Sequence, residues 1–272
     1  MRISQLIGAV VYSLRAEKKT SLVPFHGRLL HGALFRMLGE INQEIAEALH
    51  EETGAKNFSA GLLEPDIKEK SEKELRLIPG RFYRWRVCAL NEMMLKMLLS
   101  IPKESFLEVG RGRLSFVETI ADGNFDSGVV EEQMLVGGAL SLVGARSLTF
   151  RFLTPGTFRR DDMDYPLPTP ELVFGSLARK WTENRMPLEI DEAAVREVAW
   201  HMKPFKWEGR SVFGYMSKGR GITGFQGMFT YSLEGLSEEW RQIFMMLGQY
   251  ASFAGVGRLT GQGFGRVQFS WS

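Results

Sequence analysis

The chain has little cysteine and no long apolar run, and these absences set the first limits on its class. Cys88 is the single cysteine among 272 residues, so an internal disulfide and a zinc site built on cysteine pairs are both excluded. No run of about 18 apolar residues occurs, and Met1 to Leu22 lack the order of a signal peptide. We therefore expect a cytoplasmic protein, with one large domain or two domains of about 130 residues each.

Sequence signatures of metal hydrolysis and acyl transfer are also missing. The chain contains no H-E-x-x-H, no paired aspartate motif at metal spacing and no G-x-S-x-G. Asp161, Asp162 and Asp164 cluster after two arginines, but the turn glycine and the distal glutamate of a calcium loop are absent. The sequence predicts neither a metal site nor a cofactor.

Positive charge is concentrated in one segment of an almost neutral chain. The formal net charge is +2, which does not by itself indicate a nucleic-acid-binding protein. This segment is Trp200–Arg220. It combines aromatic residues with five basic residues, Lys203, Lys206, Arg210, Lys218 and Arg220. This composition suits phosphate neutralisation and base stacking. The alternative is a solvent-exposed hairpin with ordinary strand aromatics, and composition alone leaves both open.

The last part of the chain, Ala254 to Trp271, is rich in glycine. Its glycines and arginines are Gly255, Gly257, Arg258, Gly261, Gly263, Gly265 and Arg266. Glycine reaches left-handed geometry without a Cβ clash and lets a polyanion approach the backbone amides. The pattern predicts a loop that holds a phosphate backbone, with a mobile turn as the alternative. No helix follows it, so it is not a dinucleotide-binding loop.

Hydrophobic periodicity in the first half predicts the order β-α-β-β-α-β. The predicted elements are a strand Ile3–Leu14, a helix Arg28–Leu49, strands Asn57–Leu63 and Arg81–Ala89, a helix Asn91–Ser100 and a strand pair Phe106–Ile120. This is the order of a ferredoxin-like, or RRM-like, domain.

The second half repeats the same order. The predicted elements are a strand Ser147–Phe158, a helix Pro170–Trp181, strands Val195–Phe205 and Ile222–Leu233, a helix that begins at Ser237 and ends near Phe253, and a strand Arg266–Trp271. We therefore predict an α+β protein of two tandem ferredoxin-like domains, residues 1–140 and 146–272, with the glycine-rich loop in the second.

His50 is the histidine whose position most favours chemistry. It lies where the first helix is predicted to end, and a helix C-terminus favours the charged imidazolium. An imidazole titrates near neutral pH and suits proton transfer. The alternative role for His50 is structural, as a side chain that stabilises the last carbonyl groups of the helix. Lys56 follows six positions later, and His31 lies inside the helix.

Three stretches of the chain resemble the CRISPR repeat-cleaving endoribonucleases, which process precursor CRISPR RNA into guides. They are A-L-H-E-E-T-G-A-K-N-F-S at Ala48–Ser59, the opening of the second domain at Phe152–Leu177, and G-V-G-R-L-T-G-Q-G-F-G-R-V near the end of the chain. The glycine-rich stretch is shared with related non-cleaving subunits of CRISPR effector complexes, whereas the second stretch is more specific to the family.

The resemblance implies a double ferredoxin-like fold and metal-independent scission of RNA, in which the 2′-OH attacks the adjacent phosphate. His50 matches the family's catalytic histidine, and Lys56 falls where some members place a lysine that stabilises the transition state. Where those members have a helix tyrosine, this chain has Phe35, which cannot donate a hydrogen bond. His31 lies one helical turn before Phe35 on the same face, and we predict that it serves in place of the tyrosine, as a proton donor or as a charge stabiliser.

The resemblance also assigns the RNA contacts. We expect Arg258, Arg266 and the glycine-loop amides to hold phosphates, with Arg159 and Arg160 in a similar role. The expected partners are CRISPR repeat RNA, subunits of an effector complex and a second copy of the chain. The alternative function is a non-catalytic subunit that holds the CRISPR RNA.

Overall fold

The chain folds into two compact units. The computed structural model describes residues 5–44, 57–67, 74–123, 126–141, 144–217 and 220–272, with the backbone alone at 141, 215–217 and 220. The N-terminal unit comprises Leu6–Val130 and Gly261–Gly263, and the C-terminal unit comprises Glu131–Thr260 and Phe264–Ser272 together with Gln5.

The N-terminal unit is built on one antiparallel sheet. Its strands are β1 (Leu6–Ala16), β2 (Thr20–Leu22), β3 (Phe58–Ala60), β4 (Glu64–Pro65), β5 (Leu75–Leu77), β6 (Phe82–Ala89), β7 (Phe106–Val109), β8 (Gly112–Ile120) and β9 (Gly128–Glu131), and its helices are α1 (Gly27–Ile41) and α2 (Glu92–Leu99). The main sheet has the order β3-β6-β1-β8-β7, and β1 is its central strand. Eight of the eleven residues of β1 are buried, and both of its faces are covered at its centre, so this strand is the core of the unit.

Helix α1 packs through the apolar stripe that the sequence predicts. Leu30, Leu34, Met37 and Leu38 are buried at spacings of three and four residues. The helix ends earlier than predicted, at Ile41. Asn42 adopts extended geometry, with φ of −155°, and its N–H donates to the carbonyl of Leu38, so the prediction of a single helix to Leu49 is wrong.

The C-terminal unit carries a second antiparallel sheet with its own helices. Its elements are α3 (Glu132–Ser141), β10 (Ser147–Gly156), β11 (Phe158–Arg160), β12 (Met163–Tyr165), α4 (Pro170–Glu183), α5 (Glu192–Trp200), β13 (Pro204–Ser217), β14 (Arg220–Ser232), α6 (Glu238–Ala254), a 3₁₀ turn (Thr260–Gln262) and β15 (Val267–Trp271). The sheet has the order β13-β14-β10-β15. Phe150 of β10 packs against α4, with its ring centroid 5.7 Å from that of Phe174.

The two sheets share one strand order, which confirms the prediction of tandem ferredoxin-like domains. In each sheet the second, third, first and fourth strands of the β-α-β-β-α-β series lie side by side, as β3-β6-β1-β8 and as β13-β14-β10-β15. Neighbouring strands are antiparallel throughout these sets. The same alternation of apolar and polar residues therefore produces the same topology twice.

The predicted strand Val195–Phe205 is wrong, because most of it is helix α5. Asp191 is the N-cap of this helix and accepts hydrogen bonds from the backbone N–H groups of Ala193 and Ala194. Val195 and Ala199 are buried one turn apart, and the polar face carries an ion pair from Arg196 to Glu192. Strand β13 begins only at Pro204.

The end of the predicted first domain contains β9 and α3, which the sequence did not predict. Helix α3 groups with the C-terminal unit, although the predicted first domain extends to residue 140. No helix in the described part of the chain is long and apolar enough to cross a membrane.

Candidate functional site

The glycine-rich loop, Gly255 to Arg266, is a folded segment packed against the rest of the chain. Gly255, Gly257, Gly263 and Gly265 all have positive φ, between 64° and 89°. A Cβ at Gly257 would overlap the carbonyl oxygen of Thr157, and one at Gly265 would overlap that of Val256. These glycines are therefore required by the conformation of the loop itself.

Two polar side chains of α4 support the first part of the loop. Lys180 is buried, and its Nζ donates to the carbonyl oxygens of Ala254, at 3.2 Å, and Gly255, at 2.8 Å. The Oγ of Ser176 accepts a hydrogen bond from the N–H of Gly257 at 3.0 Å. Burial lowers the pKa of Lys180 to about 7. Both residues hold the end of α6 and the loop in place.

Sequence reasoning missed Lys180, although a signal was present. The lysine follows Val173 and Leu177 at the spacing of the buried stripe of α4, and the next residue, Trp181, is buried as well. A lysine on the apolar stripe of an amphipathic helix needs partners for its ammonium group, and here helix-end carbonyls supply them.

His31 lies on α1 beside the tip of the glycine-rich loop. Its Nδ1 is 3.0 Å from the carbonyl oxygen of Gly261. The imidazole stacks on Phe58, with ring centroids 5.6 Å apart and planes 22° apart, and it lies 4.9 Å from the ring of Phe35. Because a carbonyl oxygen only accepts, this contact places a hydrogen on Nδ1.

His26, in contrast, is a structural residue. It is buried, its Nε2 accepts a hydrogen bond from the N–H of Leu63 at 2.9 Å, and its Nδ1 lies 3.1 Å from the carbonyl oxygens of Val23 and Pro24. Burial lowers the pKa of His26 to about 4. The ring is therefore neutral at physiological pH and fixes the chain before α1.

His50 and Lys56, the predicted catalytic histidine and its accompanying lysine, lie outside the described residues. Phe35 packs its ring against Phe58 and His31 and is half-buried. These three rings form an aromatic cluster that fixes the orientation of the imidazole.

The loop arginines make contacts within the chain. Arg258 donates from Nη1 to the carboxylate of Asp164, which lies in β12. Arg159, in β11, lies 3.8 Å from the same carboxylate and 3.4 Å from that of Asp162. The backbone N–H of Arg266 donates to the hydroxyl of Thr154. The guanidinium of Arg160 lies over the ring of Tyr165 at 5.2 Å.

The edge strand β13 exposes both cations and aromatic rings. Lys203, Lys206 and Arg210 are exposed. The exposed aromatic residues are Phe205 at 58%, Trp207 at 61% and Phe213 at 55%. The ring of Trp207 stacks on that of Phe229 with planes 15° apart. Lys218 lies outside the described residues, and Arg220 is described by its backbone in β14 alone.

Fold and site together define a class of proteins in which two ferredoxin-like units accompany a glycine-rich loop. Residues 150–267 match the family model of the CRISPR-associated endoribonuclease Cas6. The Thermus thermophilus Cas6 TTHB231, solved as a product complex, is 27% identical with a TM-score of 0.78, over 97% of this chain and 99% of its own. The chain is therefore similar to the Cas6 family, in sequence through residues 150–267 and in structure over nearly its whole length.

More distant solved structures share the fold. A product complex of the Cas6 TTHA0078 is 24% identical with a TM-score of 0.76, over 97% of this chain and 99% of its own. A Cas6-related protein from Pyrococcus furiosus is 15% identical with a TM-score of 0.60, over 98% of both chains. No curated protein is significantly similar to the chain in sequence.

Proposed function

We propose that this protein is an endoribonuclease that cleaves CRISPR repeat RNA in precursor transcripts and so produces guide RNAs. Similar Cas6 structures described as product and substrate-mimic complexes support the assignment. The observation that carries it is the contact between His31 and Gly261, which joins a histidine to the tip of the glycine-rich loop. Subunits of an effector complex would then receive the product.

The proposed reaction is transesterification within the RNA. The 2′-OH attacks the adjacent phosphorus and gives up its proton to a base, while the bond from phosphorus to the 5′-oxygen breaks and that oxygen takes up a proton. The products are a 2′,3′-cyclic phosphate and a 5′-OH. Neither step requires a metal, because a histidine supplies the proton transfer and a nearby cation stabilises the charge on the phosphorane.

His31 has the geometry of a proton-transfer group. The Gly261 carbonyl holds the hydrogen on Nδ1, so Nε2 is the nitrogen that exchanges a proton with the RNA. Stacking on Phe58 limits rotation of the ring. Phe35 cannot supply the hydroxyl that a tyrosine would, and His31, four positions earlier on the same helix, supplies a titratable group on that face.

His50 and Lys56 remain part of the proposal through the family resemblance. His50 would act as the second proton-transfer group, and Lys56 would stabilise the phosphorane. The proposed RNA contacts are the cations of β13 and the arginines and amides of the loop. Exposed Phe205, Trp207 and Phe213 offer faces on which unpaired bases can stack.

The test is cleavage of the cognate repeat RNA in EDTA, comparing the wild type with His31→Ala and His50→Ala. His201→Ala is the matched control, because this exposed histidine only follows the end of α5. A second substrate carries a 2′-deoxy sugar at the scissile position. We expect His31→Ala to lose about 10²- to 10⁴-fold in rate, His201→Ala to cleave normally and the deoxy substrate to stay intact.

Each other outcome is informative. Full activity of His31→Ala with loss in His50→Ala would place the chemistry at His50 and remove His31 from the proposal. Dependence of cleavage on added metal would contradict the metal-free reaction. Tight binding by the wild type without cleavage would identify a non-catalytic subunit that holds CRISPR RNA.

A further inference from the structure

Asp164 lies between two of the arginines that we assign to RNA. Strands β11 and β12 form a short hairpin in which Arg159 and Asp164 are directly paired. Arg258 reaches the same aspartate from the glycine-rich loop. All three residues belong to the C-terminal unit, so the cluster is contained within one compact body.

The geometry is that of an anion site filled by a side chain of the protein. One carboxylate oxygen, Oδ1, accepts a hydrogen bond from Arg258 Nη1 and lies 3.8 Å from Arg159 Nη1. The side chains are partly accessible, at 23% for Asp164, 31% for Arg258 and 44% for Arg159. Solvent, and hence a ligand, therefore reaches the site.

A phosphodiester is the same kind of hydrogen-bond acceptor for these arginines as the carboxylate. Both groups carry one negative charge on two terminal oxygens, and a guanidinium binds either with parallel N–H donors. The contact with Asp164 also fixes Arg258 at the first half of the loop, where its backbone N–H donates to Thr157. The arginine is thus held ready in a binding conformation.

We propose that Asp164 is a positioning residue that occupies the phosphate site of Arg258 and Arg159 until an RNA phosphate displaces it. This inference rests on the proposed function. This exchange lowers the binding free energy gained from any single phosphate, because each new ion pair between arginine and phosphate replaces an existing one between arginine and Asp164. Binding then depends on RNA that also fits the rest of the surface, which disfavours nonspecific polyanions.

The experiment measures the affinity of Asp164→Asn for the repeat RNA as a function of salt. Asparagine keeps the shape and removes the charge. We expect affinity to rise about two- to fivefold, the size of a partly exposed ion pair. The plot of log K against log salt should steepen by about 0.7, the value for one added phosphate contact to a single strand. A larger relative gain is expected for an unrelated RNA.

Two further variants separate this role from general electrostatics. Asp161→Asn removes the same charge from the turn of the same hairpin, where Asp161 forms no ion pair with another described residue, and it should leave affinity nearly unchanged. In an Arg258→Ala background, Asp164→Asn should lose most of its effect. An equal gain in both backgrounds would overturn the proposal.

A purely structural role for Asp164 predicts the opposite result. Loss of a hairpin-stabilising contact would lower the melting temperature, and it would weaken RNA binding or leave it unchanged. Weaker binding and unchanged binding each overturn the proposal. If the wild type cleaves repeat RNA and Asp164→Asn binds no tighter, only this inference fails. If the wild type does not bind repeat RNA, the proposed function fails, and this inference fails with it.

Discussion

His31 and Gly261 are 230 positions apart in the chain, yet Nδ1 of the histidine lies 3.0 Å from the carbonyl oxygen of the glycine. This contact selects the tautomer of the imidazole and fixes its orientation. The conformation of the loop tip therefore determines which ring nitrogen faces outward from the contact. A substitution of Gly261 should consequently alter the position of the His31 ring.

Replacement of Gly261 by alanine should impair cleavage more than stability. The added Cβ would lie 3.1 Å from a ring carbon of Phe58 and 3.6 Å from His31 Nδ1. Phe58 is buried and has little room to move. We expect the single-turnover cleavage rate to fall roughly tenfold, because small displacements of reacting groups are costly. Gly137→Ala is the control, since a Cβ there meets no atom within 4 Å. Equal rates for the two variants would contradict the role of the contact.

Gly265→Ala should destabilise the protein strongly. Gly265 has φ of +64°, and a Cβ would overlap the carbonyl oxygen of Val256. Gly80, with φ of +81° and no atom within 4 Å of an added Cβ, isolates the backbone strain. We expect Gly80→Ala to cost about 1 kcal/mol of unfolding free energy, and Gly265→Ala about 2 kcal/mol more because of the steric overlap. Denaturant unfolding measures both, and similar costs would mean that the loop adjusts freely.

The neutral state of His26 predicts an acid-sensitive fold. Burial lowers its pKa to about 4, whereas the unfolded chain titrates near 6.5. Between these values the unfolded state binds more protons, so the unfolding free energy falls as the pH falls. From pH 7 to pH 5 the loss from this residue should be about 2 kcal/mol.

Substitution of His26 isolates its contribution to the pH dependence of the unfolding free energy. His26→Gln should remove that part of the pH dependence while leaving the rest of the profile in place. His201→Gln, at an exposed position, should retain the full acid sensitivity. An unchanged slope in His26→Gln would show that another group is responsible.

Lys180 predicts a second pH dependence on the alkaline side. Burial lowers its pKa to about 7 from the ordinary 10.5, so between these values the unfolded chain binds the extra proton. Stability should therefore rise with pH above 7, by about 1 kcal/mol per pH unit. Lys180→Met should flatten the unfolding free energy measured between pH 7.5 and 9, whereas Lys103→Met, at an exposed position, should not. A rise that survives in Lys180→Met would contradict the assignment.

Much of the fold was predictable because local patterns determine it. The apolar stripe of α1, the helix α2 and the start of α6 at Ser237 agree with the prediction. Helix α5 was missed because its apolar residues were interpreted as a strand run, although Asp191 before two alanines is a cap signal. The early end of α1 at Asn42 had no equivalent signal in the sequence.

The contacts of the site were less predictable, because they join distant segments. Nothing near His31 indicates Gly261, and nothing near Arg258 indicates Asp164, 94 positions earlier. The glycines of the loop were interpreted as leaving room for a ligand, whereas the structure shows that backbone and side-chain atoms of the protein itself lie beside them. The assignments of His50, Lys56 and the RNA-binding cations stay predictions.

The grouping of Gly261–Gly263 with the N-terminal unit limits how the protein can be divided. A single cut between residues 130 and 131 would separate most of the two units but would leave the first without the residue that contacts His31. Exchange of the two ferredoxin-like folds between relatives at this cut would therefore pair His31 with a loop tip from a different parent. A chimera that keeps the histidine environment intact must inherit the loop tip and α1 from the same parent.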